Sequence, residues 1–405
     1  MTVSRRALLF SAAPALALAN SAKVFRYAEV EAKIAKKDFR GITKDDLPTP
    51  CLTVERALFE KNLKAMSDYC KSTGINLRAH CKIHKSTDVT RKQIALGSLG
   101  VCCATIAEAE LMVNAGFKNV LHTCQPAGKN KVWRAAVLAQ REPTTMFVAD
   151  DPITVDLLDQ AAEALKIKMT VLPDIYAGLT RHGHAPGDPG LKLAQKIDSS
   201  KNLKLGGIMG YSGGASHTKG WEARREKSTK DVVPMVETAK LLKKSGLNVP
   251  IITGGSTGTY NIDKALGLTE LQAGSYIFMD TAYMNIGSRE GTERYSDFDV
   301  SMNVLTTVIS ANHTGQVTID AGNKALLRPT DRVKNRPEVI VENQGAEYGI
   351  LKWNDGNGFK LGEKVELITT NLDMTTNCYD RYYVCEGQNV VDVWPIMGRA
   401  GALQR

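Results

Sequence analysis

Several features are missing from this sequence, and each absence narrows the reading. No apolar run is long enough to cross a bilayer: the best, from Ala7 to Ala19, has 13 residues, against the ~20 a spanning helix needs. No Cys-x-x-Cys pair occurs among the eight cysteines, so they do not form a recognisable disulfide framework. Cys102 and Cys103 sit side by side in an apolar stretch, as small buried thiols do. There is no dense Lys/Arg block interleaved with aromatics despite a net charge of +9. The nearest candidate, Arg224-Arg225-Glu226-Lys227, reads as a solvated helix face. Nucleic-acid binding is therefore not indicated, and the basicity is either a surface property or an affinity for small anions. No low-complexity segment and no repeat longer than one strand-helix unit appears.

What is present is ordinary for a globular chain: 405 residues, 43% hydrophobic and 23% charged, enough for a large core and two domains. Residues 1–22 are the exception. Ser4-Arg5-Arg6, the apolar run and the small residues near Ala19 and Ala22 match a charged, then apolar, then cleavable leader. The adjacent arginines before Leu8-Leu9-Phe10 resemble a twin-arginine signal, which predicts a periplasmic protein exported already folded and, once cleaved, not inserted in the membrane. An uncleaved anchor or a plain tail is the alternative.

From about residue 50, short apolar segments alternate with helix-like ones. Strand candidates are 77–82, 99–105, 119–124, 144–149, 168–174, 205–211, 249–253 and 271–278. Eight strands alternating with helices predict an α/β fold, a closed parallel (β/α)8 TIM-type barrel over residues 50–285, with a doubly wound open sheet as the alternative. After residue 285 the pattern changes to strand-like runs between Gly, Asn and Asp turns, which predicts a C-terminal, mostly-β domain over 286–405. Residues 23–49 are expected to pack on one of the two.

The chemistry centres on Arg78-Ala-His-Cys-Lys82-Ile-His-Lys85. Read as a strand, it puts His80, Lys82 and His84 on one face. A lysine in a mostly buried strand is either a reactive amine of the Schiff-base kind or a strand end reaching solvent. Later strand ends carry Asp174 to Gly183, Gly210 to His217, Thr253 to Tyr260 and Gln272 to Asp280. Glycine-rich loops after strands seven and eight of a barrel commonly bind phosphate through backbone N–H groups. Ser256, Thr257, Thr259 and Ser275 add hydroxyls there, and Gly255 and Gly274 admit close approach. Such loops can also be plain tight connections. A lysine on strand one combined with phosphate loops on strands seven and eight points to pyridoxal 5′-phosphate (PLP).

These stretches resemble the alanine-racemase-type, fold type III PLP enzymes, specifically the D-threonine aldolase/D-serine dehydratase family. Thr49-Pro50-Cys-Leu, residues 100–110, Asp320-Ala-Gly, Asp380-Arg-Tyr-Tyr and Val391-Asp-Val-Trp-Pro395 extend the likeness over about residues 47–400. The resemblance implies a PLP-dependent aldolase cleaving a D-threonine-like D-3-hydroxy amino acid to glycine and an aldehyde through a Lys82 Schiff base. A D-serine dehydratase-type ammonia-lyase, an amino-acid racemase or epimerase on the same site, and a non-catalytic PLP-binding protein are the alternatives. It further implies that Arg181 meets the cofactor's phenolic oxygen, that Tyr211 lies against its pyridine ring or the ring nitrogen, and that Thr257, Gly274 and Ser275 hold its phosphate. His217 would act at the substrate β-hydroxyl, and the enzyme would be a homodimer.

The sequence departs from the family pattern in two places. The loop from Asp174 to Arg181 is two residues longer than the family spacing, and Thr370-Asn371-Leu372-Asp373 stands where the family carries a metal motif. Asn371 replaces the metal-binding histidine and Asp373 is kept, so an Mn²⁺ or Mg²⁺ site on these two residues is expected to be altered, weakened or lost.

Overall fold

The computed structural model describes residues 25–399 apart from 292, 327–331, 355 and 357. The predicted leader, 1–22, lies outside the described residues. Among them, no helix is long and apolar enough to cross a membrane.

β1 (Cys51–Glu55) runs into the helix Arg56–Thr73, which Gly74 closes in the left-handed region at φ 68°. Next come β2 (Asn76–Leu77), β3 (Ala79–His80), β4 (Val101–Cys103), β5 (Val120–His122), β6 (Met146–Ala149) and β7 (Met169–Pro173). β8 (Leu203–Leu205), β9 (Ile208–Met209), β10 (Ile252–Gly254) and β11 (Glu270–Leu271) follow. Two parallel sheets result, ordered β3-β4-β5-β6-β7-β8 and β2-β11-β10-β9. β2 and β3 are separated only by Arg78, and β8 and β9 only by Gly206 and Gly207, so each pair is one strand position shared by both sheets. The two sheets therefore close a ring of eight positions. The predicted barrel is present, and the open-sheet alternative falls because an open sheet would not join β11 to β2.

The barrel strands alternate as a two-residue period demands. Cys102, Leu121, Met146, Val148, Leu172 and Met209 fill the barrel interior as one cluster, while Val101 and Cys103 pack outward with the helices. All eight cysteines are free thiols. The 104–108 stretch starts a helix by reciprocal capping: Thr105 Oγ1 accepts the Glu108 N–H at 3.1 Å, and the Glu108 carboxylate accepts the Thr105 N–H at 3.2 Å.

The C-terminal sheet uses β12 (Met302–His313), β13 (Gln316–Ile319), β14 (Arg332–Val333), β15 (Ile340–Asn343) and β16 (Gly349–Lys352). β17 (Lys364–Ile368), β18 (Arg381–Glu386) and β19 (Asn389–Pro395) complete it. Its order is β15-β16-β13-β12-β1-β18-β19, with β17 paired to β12 and β14. β1 lies inside this sheet, antiparallel to β12 and parallel to β18. Val30, Ile42 and Leu47 pack against Cys51, Leu305, Tyr383 and Val390, so the segment before β1 sits on the β sheet and not on the barrel.

Candidate active site

The strand expected over 77–82 stops at His80. Cys81–Ile83 forms a 3-10 turn, closed by the His84 N–H donating to the Cys81 carbonyl at 3.0 Å, and the Lys85 N–H donates to the same carbonyl at 2.7 Å. The reading of one face shared by His80, Lys82 and His84 is thus corrected: past β3 the period is no longer two, and His84 turns fully into the core. The second domain clamps the turn. Thr376 Oγ1 donates to the Ile83 carbonyl at 3.0 Å, Tyr382 OH to the His84 carbonyl at 2.8 Å, and the Met397 and Gly398 N–H groups to the Lys85 carbonyl at 3.0 Å each.

Lys82 emerges at the junction of two hollows over the C-terminal ends of the barrel strands. One, of about 830 Å³, is lined by Lys82, Arg181, Tyr211, Ser256, Thr257, Gly274 and Ser275. The other, of about 760 Å³, is lined by Lys82, Tyr211, His217, Ser275, Asn371 and Asp373. The structure thus brings the candidate catalytic, cofactor and metal residues to these hollows except Gly255 and Thr259, which line neither, Gly255 turning its loop at φ 74°. Missed in the sequence were His80, Thr123 and Gln272 on the first hollow and Tyr283 on both. His80 and Gln272 lay within the quoted stretches; Thr123 and Tyr283 had no motif to betray them.

Lys82 and Lys85 are distinguished by geometry. Lys82 Nζ pairs with Asp373 Oδ2 at 2.9 Å, with 37% of its side chain exposed. Burial opposes its charge, but the Asp373 carboxylate, with Tyr211, outweighs it and raises the Lys82 pKa. Lys85 Nζ folds back onto the Lys82 carbonyl and the Asp373 carbonyl, and burial lowers its pKa. A lowered pKa alone would favour Lys85 as nucleophile. Lys85 lines neither hollow, however, and reach takes precedence over basicity.

Arg181 is held by its neighbour: its Nε–H donates to His182 Nε2 at 2.9 Å, and its guanidinium lies 5.6 Å from the Tyr211 ring centroid. Tyr211 OH is 3.2 Å from Ser216 Oγ. On the opposite wall, Thr257 Oγ1 accepts the Tyr276 N–H at 3.0 Å, fixing the loop after β10 to the turn after β11. Ser256 Oγ is 3.0 Å from Thr259 Oγ1 and so serves its own loop.

The first hollow fits PLP. It offers an amine, a guanidinium and an aromatic face on one side, with the Gly274 and Ser275 backbone on the other. A Cβ at position 274 would meet the His80 carbonyl at 2.8 Å and Ile83 Cγ1 at 2.9 Å, so the cradle wall tolerates only glycine there.

The metal reading fits less well. Asn371 caps the helix Leu372–Thr376, its Oδ1 accepting the Met374 N–H at 3.0 Å. One Asp373 oxygen faces Lys82, and the other is buried without a partner. Among the described residues no group of three His, Cys, Asp or Glu side chains could hold a metal. A capping amide oxygen and one carboxylate are a poor donor set for Mn²⁺.

His217 is open at the rim of the second hollow, its ring 4.4 Å from that of Tyr283. Desolvation, then the charge of Lys82, lowers its pKa, against the pull of Asp373. Asp280, at the back of this hollow, accepts the Tyr283 N–H at 3.0 Å and the Leu372 N–H at 3.3 Å; burial pushes its pKa up to about 7.

Residues 54–282 match the family described as "Alanine racemase, N-terminal domain", and residues 301–385 match "Putative serine dehydratase domain". The chain is 31% identical to 3-hydroxy-D-aspartate aldolase of Paracoccus denitrificans (strain Pd 1222), covering 89% of this chain and 94% of that one. It is also 31% identical to D-threonine aldolase of an Arthrobacter species, over 87% and 92% of the two chains. The crystal structure of D-threonine aldolase from Filomicrobium marinum superposes with a TM-score of 0.82 at 31% identity, covering 88% of this chain and 97% of that one.

Proposed function

The chain belongs to the alanine-racemase-type, fold type III PLP enzymes of the D-threonine aldolase/D-serine dehydratase family, and on that footing we propose that it cleaves a D-3-hydroxy amino acid to glycine and an aldehyde. The observation that carries this reading is the position of Lys82 where two hollows meet, one suited to a phosphate-bearing cofactor and the other holding His217. When bound, PLP supplies an electron sink for the pair left on Cα.

The chain's own residues do the rest. Lys82 Nζ is the amine that would attach the cofactor, and before attachment its ammonium form pairs with the Asp373 carboxylate. Arg181 and Tyr211 orient the ring, while Thr257, Gly274 and Ser275 hold the phosphate. His217, kept neutral by its lowered pKa, takes the proton from the substrate's β-hydroxyl oxygen. No step runs through a metal, because the Asn371 and Asp373 donor set does not suit one.

The second hollow also supports a choice of side chain. Besides Lys82 and His217 its wall presents Ile83, Ala282, Leu372 and Tyr283, together with the carboxyl groups of Asp280 and Asp373. A substrate carboxylate at Cβ would face Asp373, so an uncharged, threonine-like side chain is favoured over a hydroxyaspartate-like one.

Purified protein incubated with D- and L-3-hydroxy amino acids tests both points. Aldehyde and glycine are expected from D isomers only, with D-threonine preferred to D-3-hydroxyaspartate. The match to the putative serine dehydratase domain favours a second reading, a D-serine dehydratase-type ammonia-lyase. A keto acid with ammonia would establish it, whereas a changed stereocentre alone would establish a racemase.

We further propose that residues 1–22 are a twin-arginine export signal and that the enzyme is a periplasmic homodimer. Replacing Arg5 and Arg6 with lysine should leave active enzyme in the cytoplasm, and sedimentation should give twice the 44.1 kDa chain mass, less the leader. Unchanged localisation, or a monomer, would refute the respective point.

A further inference from the structure

His182 takes no part in the mechanism above, yet it is held on both ring nitrogens. His182 Nδ1 lies 2.6 Å from Asp174 Oδ2, and Asp174 is only 1% exposed at the end of β7. The same oxygen accepts from Gln125 Nε2 at 2.7 Å. On the other side His182 Nε2 takes the Arg181 Nε–H at 2.9 Å. An arginine Nε only donates, so Nε2 must be the bare nitrogen and Nδ1 must carry the hydrogen, donated to Asp174. The chain Asp174–His182–Arg181 thus fixes one tautomer and one orientation, leaving the two Nη groups of Arg181 for the cofactor hollow.

We propose that His182 is a positioning residue that holds Arg181 against the cofactor. Removing the Nε2 acceptor frees the Arg181 Nε–H and lets the guanidinium leave the place it holds beside the Tyr211 ring. This proposal rests on the reading of the first hollow as the PLP site.

The test is PLP affinity, measured by equilibrium dialysis at pH 8 on wild type, His182→Ala and His182→Gln. His182→Ala is expected to bind about tenfold more weakly, the low end for a hydrogen bond to a charged group. His182→Gln keeps an acceptor and should match wild type. In an Arg181→Ala background, His182→Ala should cost nothing further. Three results would overturn the relay: equal affinity in wild type and His182→Ala, a His182→Gln variant as weak as His182→Ala, or a full additional loss in the Arg181→Ala background. Should His182→Ala fail to fold because Asp174 loses its partner, the Gln variant decides alone. A wild-type chain that binds no PLP would sink the functional reading and this proposal together, whereas normal binding with any of those three results sinks only the relay.

Discussion

The two hollows at the barrel mouth are built differently although they share Lys82, Ile83, Tyr211, Ser275 and Tyr283. The cofactor side is made almost wholly by barrel loops, and its walls are tied to one another, as by Thr257 to the Tyr276 amide and by the Asp174–His182–Arg181 chain. The substrate side is made by two domains. His217 comes from the barrel, Asn371 and Asp373 come from the β domain, and it still contains a buried carboxylate oxygen without a partner. Rigid, locally closed geometry suits a group that stays bound, whereas a pocket with unpaired donors and acceptors suits one that comes and goes. The departure from the family pattern at Asn371 also falls on the substrate side, where a change in chemistry can occur without loss of the cofactor.

Lys82→Ala should break both sides at once. Activity should fall by roughly 10³-fold or more, and borohydride should no longer trap cofactor on the chain. Lys85→Ala should keep the label, and a label found on Lys85 would reverse the assignment.

His217→Asn should separate the sides. Turnover is expected to drop by about 10²–10⁴-fold, the usual worth of general-base help, with PLP absorbance unchanged. Because the pKa of His217 is lowered in the folded enzyme, its basic form persists below the ordinary histidine value of about 6.5. The acid limb of kcat should therefore lie below that value in wild type and disappear in His217→Asn. A limb unmoved by the substitution would assign the base elsewhere.

Gly274→Ala tests the cofactor side alone. The added methyl has backbone on one side and Ile83 on the other, so ~1–3 kcal/mol of strain is expected. It should appear as weakened PLP binding and a lower Tm. Unchanged cofactor affinity would mean that the phosphate lies elsewhere.

Asn371→His has the smallest expected effect and gives the finest contrast. Losing the cap should cost about 1 kcal/mol of stability. The imidazole joins Asp373 as a donor pair, so activity should become responsive to Mn²⁺ while the wild type survives EDTA. Wild-type activity abolished by EDTA and restored by micromolar Mn²⁺ would overturn the reading of the donor set.

Much of the cofactor side could be read from the chain because its residues lie in local strand-loop units. A strand followed by a glycine- and hydroxyl-rich turn carries its own signal, and the barrel rule states where such turns meet. The substrate side was legible only in pieces. Asn371 is separated from His217 by more than 150 residues, and nothing local indicates that they share a hollow. The strand expected through Lys82 failed for a related reason: its 3-10 turn is held by hydrogen bonds from Thr376, Tyr382, Met397 and Gly398, all remote in sequence.

By itself the sequence determined the alternation of strand and helix, the change to β structure after residue 285, and the residue types able to hold a phosphate and form an imine. These follow from periodicity and turn chemistry, which act over a few residues. Only the tertiary structure decided that β1 joins the C-terminal sheet, that Lys82 and not Lys85 reaches the hollow, and that His182 holds Arg181 through Asp174. Each of these depends on which distant backbone group or buried charge lies within hydrogen-bonding distance, a quantity fixed by packing and absent from any short window of sequence.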